Sequence, residues 1–174
     1  MKTSEVVVLP YDKNWEFEFE KIKDQLIKAL DDIIIGIEHV GGTSVKGLVG
    51  NPIIDIDIII PTYNCFNIVI KRLNRIGYTY KGSLKLEEIE AFKYTGTQSF
   101  MTHNLYVYTR KSKELKKQLL LRNYLNSNKE ATENYSKIKI RASKLFPNDI
   151  NKYREYKNLF ISQGSFLKNS TKYS

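Results

Sequence analysis

At 174 residues and 20.3 kDa, the chain is long enough to bury a core without metal or disulfide staples, as one domain or as a core with an appended lobe. Its 41% apolar content and 12 tyrosines exclude a disordered chain, and a single cysteine, Cys65, excludes an internal disulfide, so a reducing, cytoplasmic setting is expected. The net charge of +9 is uneven: 16 of 28 Lys and Arg but 5 of 19 Asp and Glu lie from Arg110 onward, a net +11 there against −2 before it, which suits either an anionic ligand between two halves or a solvated helical surface.

The N-terminal "EVVVLP" predicts a short strand closed by Pro10. Its apolar run is too short for a signal sequence, and no segment approaches a membrane span. Asp12 is placed to cap a helix in which Trp15, Phe19, Ile22, Leu26 and Leu30 recur at spacings of four and three. "IIIGIEHV" predicts a strand ending at Gly41-Gly42, and "PIIDIDIII" a second one ended by Pro61. In the second, Ile54, Ile56 and Ile58 alternate with Asp55, Asp57 and Ile59, so both acids project from one face.

"NCFNIVIKRLNRIG" reads as a helix with Phe66, Val69, Ile70 and Leu73 as its stripe and Gly77 as its stop. Three strand-like pieces follow: "YTYKG", "EAFKYTG" and "HNLYVYT". From Ser112 the period is helical. Leu115, Leu119 and Leu125 mark one helix, Tyr135, Ile138 and Leu145 the next, and Ile150, Tyr153, Tyr156 and Phe160 the last, with Asn148 or Asp149 placed to cap it. The expected fold is α+β (or α/β): a mixed-sheet core over residues 1–110, a basic helical lobe over 111–165 packed on it, and a polar tail, 166–174, that frays.

The stretch "EHVGGTSVKGLVGNPIIDIDIIIP" carries the chemistry. Glycines lack a Cβ and let backbone N–H groups approach phosphates, so Gly41 and Gly42, with the hydroxyls of Thr43 and Ser44, form a candidate triphosphate loop, and Lys46 adds a cation. Mg²⁺ or Mn²⁺ prefers hard oxygen ligands, which carboxylates at i and i+2 of a strand can supply together. Asp55 and Asp57 are therefore the candidate metal ligands and catalytic residues of a phosphoryl or nucleotidyl transfer. Each element alone has a plain structural reading, a turn or a polar strand face; their order and the flanking isoleucines favour the functional one. His39 and His103 are candidate ligands or bases, with structural hydrogen bonding as the alternative.

"HVGGTSVKGLVGNPIIDIDIII" resembles the signature of the GrpB family, and "VLPYDKNW", "LNRIGYTYKG", "THNLYVY", "LLRNYLNSNKEATENYSKIK" and "FPNDINKYREYKNLFI" extend the similarity from Val6 to Ile161. The resemblance implies a nucleotidyltransferase-like fold of the DNA polymerase β type, and positions Arg122, Lys139 and Lys157 as basic residues facing an anionic substrate. Members also occur fused to dephospho-CoA kinase, with an accessory folding role. Several positions depart from the family pattern. Lys46 replaces a usual Pro, Asn51 a usual Lys and Tyr106 a usual His, and the arginine near "EAF" is absent. The third carboxylate of the superfamily is also missing from "THNLYVY", which offers His103, Asn104 and Tyr106; Glu90 is the nearest acid in sequence.

The expectation is thus a metal-dependent nucleotidyltransferase-like enzyme binding a nucleoside triphosphate and a small acceptor. Its rival is a noncatalytic module of the same fold that binds, or assists the folding of, a protein partner. Nucleic-acid binding rests on charge alone, with no RNA- or DNA-binding motif behind it.

Overall fold

The helix read between Trp15 and Leu30 forms as α1 (Asn14–Leu30) in the computed structural model, which describes residues 5–84 and 89–163. Lys13 already has helical dihedrals, so Asp12 does the capping: its carboxylate accepts from the Asn14 N–H at 2.8 Å and its carbonyl from the Trp15 N–H at 3.1 Å. The five apolar residues of its stripe are all buried.

The five strands are β1 (Gly36–Val40), β2 (Ile54–Ile60), β3 (Tyr78–Leu84), β4 (Ile89–Tyr94) and β5 (His103–Thr109). They form one mixed sheet in the order β1-β2-β5-β4-β3. Among the described residues β2 and β5 run parallel, and the pairs β1–β2, β3–β4 and β4–β5 are antiparallel. One face carries Ile54, Ile56, Ile58, Phe92, Leu105 and Val107, covered by α1 and by α2 (Phe66–Arg75). Gly77 ends α2 at φ 97°, and a Cβ there would meet the Gly96 backbone at 2.7 Å.

Over the opposite face lie α3 (Lys113–Ser127), α4 (Lys129–Leu145) and α5 (Ile150–Gln163). Leu115 of α3 packs with Ile59 and Tyr108 of the sheet, while Leu125, Ala131 and Tyr135 enclose Val45 and Leu48 of the glycine loop. Side chains cap all three starts: Ser112 accepts from the Leu115 N–H, Asn128 from Ala131 and Asp149, not Asn148, from Lys152. Among the described residues no helix is long and apolar enough to cross a membrane.

Two elements differ from expectation. "EVVVLP" is not a strand: Leu9 alone pairs with Gly50, through two 2.9 Å bonds, and the Val6 N–H donates to the Pro147 carbonyl. Val6 packs with Ala142 and Tyr153, so the valines strap the segment onto the helices instead of joining the sheet. The strand expected over "IIIGIEHV" begins only at Gly36, because the Ile33 N–H still bonds to Leu30 in the turn leaving α1. The tail expected over 166–174 lies outside the described residues.

Candidate functional site

The two glycines of the loop each make room for a charged side chain. Gly41 has φ 74° and ψ −171°, a conformation open essentially to glycine, and a Cβ there would overlap the Asp55 Oδ2. A Cβ on Gly42 would meet the Lys139 Nζ at 2.5 Å. The following turn, Gly42–Ser44, closes through Ser44 N–H to Gly41 O at 3.2 Å. Its hydroxyls are engaged within the loop: Ser44 Oγ donates to Gly41 O at 2.6 Å, and buried Thr43 bonds the His39 ring at 2.9 Å and Ile53 O at 3.4 Å. The donors left for a phosphate are the first backbone N–H groups, which such a turn cannot satisfy internally. Lys46 is exposed and bonded through its own N–H to Asn126.

Asp55 sits between Gly41 and β5, where the Asn104 side-chain amide donates to its Oδ1 at 2.9 Å. Burial pushes its carboxyl pKa up, opposed by Asn104 and by Lys157, Lys139 and Arg154. Asp57 is more extreme. It is 0% exposed, and neither carboxylate oxygen has a hydrogen-bond partner among the described residues. Burial, then Asp55 and Glu38, drives its pKa up to about 8. A carboxyl buried without partners is either protonated or bound to a cation. With Asp55 one strand period away, the pair fits a hard divalent ion.

The cross-strand neighbours of Asp57 are Glu38 on β1 and Tyr106 on β5. Glu38 is held by Arg122 at 2.6 Å, and the same guanidinium donates to the His39 carbonyl at 2.9 Å. Arg122 therefore ties α3 to β1 while also lining the cleft beside Gly41. Among the described residues no group of three or more His, Cys, Asp or Glu converges on one point.

The cations come from the last two helices. Lys139 is 3% exposed, and burial followed by Lys157 pulls its pKa down to about 7 against the pull of Asp55. Burial lowers Lys157 as well. Two clefts meet at Gly42, Asp55, Lys139 and Lys157. One, about 180 Å³, has apolar walls from Val45, Leu48, Leu121, Leu125 and Tyr135. The other, about 380 Å³, is polar, with Asn51, Asn104, Tyr106, Tyr153 and Arg154 around it.

The sequence-predicted residues thus divide by sheet face. Gly41, Gly42, Asp55, Asp57, Tyr106, Arg122, Lys139 and Lys157 gather on the α3–α5 side. The histidines do not: His39 pairs across from Ile56 and His103 from Ile54, which puts both on the α1–α2 face. His39 stacks on Phe19 with centroids 4.6 Å apart, and burial lowers its pKa to about 4. His103 bonds Tyr78 OH and Met101 O, each at 2.8 Å. Both rings are thus held by bonds within the protein, on the face of the sheet away from Asp55 and Asp57. Glu90 is on that face too, caged by Tyr63, Tyr80 and Ser83 hydroxyls, and so is no third ligand for Asp55 and Asp57. Sequence reasoning missed Arg154; the one available signal was its place three residues before Lys157, one helical turn along the same side of α5.

The GrpB protein family model matches residues 5–165. The glutamate-rich protein GrpB of Alkalihalophilus pseudofirmus is 27% identical over 164 residues, covering 91% of this chain and 93% of that protein. The crystal structure of conserved protein GrpB from Enterococcus faecalis superposes with a TM-score of 0.82 at 28% identity, over 96% of this chain and 99% of that one. Cid1, a poly(U) polymerase solved with its short product ApU, superposes with a TM-score of 0.57 at 14% identity, over 78% of this chain and 42% of its own. At that identity the likeness is one of fold, and the fold is nucleotidyltransferase-like.

Proposed function

The chain belongs to the GrpB family and has a nucleotidyltransferase-like fold, and on that premise we propose that it is a metal-dependent enzyme of nucleotidyl-transfer type, taking a nucleoside triphosphate and a small acceptor. The observation that carries this reading is Asp57, a fully buried carboxyl whose two oxygens have no partner among the described residues, one strand period from Asp55, which itself lies where the two clefts meet. Asp55 and Asp57 would hold Mg²⁺ or Mn²⁺, with phosphate oxygens and water completing the shell. Such an ion neutralises charge on the transferred phosphoryl group.

The remaining work falls to the chain itself. Gly41 and Gly42 bring backbone donors close to the triphosphate, and Lys139 and Lys157 offset its charge from the helical side. The apolar walls of the smaller cleft suit a nucleoside. Cid1 supports the reading by analogy of fold, since it has been solved with the UTP analogue UMPNPP.

One observation favours the noncatalytic alternative, a binding or protein-folding accessory module: Asn104 and Tyr106 flank the acids on β5, where a third carboxylate would complete the metal shell.

Thermal unfolding with Mn²⁺ and each ribonucleoside triphosphate separates the two. Ligand at a hundredfold its Kd adds about 2.7 kcal/mol to the wild type, and Asp57→Asn abolishes the gain. Pyrophosphate release with an acceptor then marks an enzyme. A wild type indifferent to metal and nucleotide removes the reading altogether.

A further inference from the structure

The polar cleft has a chemical bias that names the class of acceptor. In-line displacement puts the attacking and leaving groups on opposite sides of the α-phosphorus. With the triphosphate tail at Gly41 and Gly42, beyond the end of β1, the attacking side is that of β5 across β2. There the cleft of about 380 Å³ is walled by Asn104, Tyr106, Tyr153 and Arg154, and Asp55 is the only carboxylate lining it among the described residues.

An alcohol attacking from that side needs a base to take its proton. Glu38 is bound to Arg122 and lines neither cleft, and Glu90 is on the other face of the sheet. Of the groups that do line this cleft, Asp55 is assigned to the metal, Lys139 and Lys157 to the triphosphate, and Tyr106 is a phenol, so no carboxylate or imidazole among the described residues is left there to act as base. Arg154 instead offers a fixed fork of donors suited to an oxyanion.

Resting on the proposed nucleotidyl transfer, we propose that the acceptor is an already ionised phosphate monoester, held by Arg154, and not a hydroxyl group. An acceptor phosphate oxygen forms the new bond to the α-phosphorus as the bond to the bridging oxygen breaks. That electron pair leaves with pyrophosphate, the product is a phosphoanhydride, and no proton is removed from the acceptor.

The probe is [³²P]orthophosphate, the smallest species offering the same ionised phosphate oxygen, supplied with Mn²⁺ and a nucleoside triphosphate. Attack on the α-phosphorus puts label into the β-phosphate of the nucleoside diphosphate, which hydrolysis cannot do. The wild type is expected to incorporate label and to transfer nothing to glycerol. Arg154 is exposed, so Arg154→Gln spares the core; it should lower incorporation about 10- to 100-fold while keeping the thermal shift with Mn²⁺ and nucleotide. A wild type that binds the metal–nucleotide pair but incorporates no label, that labels glycerol, or that is unaffected by Arg154→Gln overturns the acceptor assignment alone. Absence of metal–nucleotide binding overturns the underlying reading.

Discussion

Among the described residues each face of the sheet holds one carboxylate less than a tenth exposed, and the two are treated in opposite ways. On the α1–α2 side Glu90, 5% exposed, accepts from Tyr63, Tyr80 and Ser83 at 2.5–3.1 Å. On the α3–α5 side Asp57, 0% exposed, accepts from nothing among the described residues. A structural acid is surrounded by donors, as Glu90 is; an acid kept bare beside a second acid and a cationic cleft is arranged for a ligand from outside. The same division holds for the other polar groups: on the Glu90 side His39 bonds Thr43 and both ring nitrogens of His103 are bonded, while Lys139 and Lys157 line open clefts on the Asp57 side.

The contrast breaks first with pH. Without metal, folded Asp57 keeps its proton up to about pH 8, whereas the unfolded chain releases it near the ordinary 3.8. The folded state therefore binds more protons between those values, and stability falls as pH rises from about 4 to about 8, by at most about 1.4 kcal/mol per unit from this group. His39 and Lys139 act with the opposite sign, since their lowered pKa values mean fewer protons bound in the folded state. Their windows are roughly pH 4 to 6.5 and 7 to 10.5, and they are common to both proteins. The difference between wild type and Asp57→Asn in urea unfolding thus isolates the acid: the variant gains on the wild type across the window. Parallel curves would mean that Asp57 has a partner.

Glu90→Ala comes next. It strips three hydroxyls of their acceptor and should cost about 3 kcal/mol at any metal concentration, read as a lower urea midpoint. A loss below about 1 kcal/mol would erase the distinction between the two acids.

Gly41→Ala is the smallest of the three. Its backbone conformation costs about 1–3 kcal/mol for any other residue, and the new methyl displaces Asp55. The Mn²⁺–nucleotide shift should disappear while the fold, monitored by circular dichroism, persists. A retained shift would show that the loop and Asp55 are not one site.

Much of this was legible in the chain. The Asp55-x-Asp57 pair reads from strand period, the glycine loop from residues that suit close approach, and the helices from their apolar stripes. The motif resemblance supplied the family. The side of the sheet taken by each histidine was not legible: His39 and His103 face away from the acids because of their register against Ile56 and Ile54, and register is set by pairing between distant segments. Nor was Arg154, whose helix reaches the cleft only through the packing of α5 against α4.

The sequence by itself determined local matters: which segments are helix or strand, where the chain turns, and that two carboxylates share one strand face beside two glycines. Tertiary structure decided what those carboxylates experience. Alternation puts Asp57 on a face, but only α3, α4 and α5 closing over that face remove it from water. Desolvation is a property of everything packed around a group, so the bare, raised-pKa acid and the cations gathered near it exist only in the folded chain.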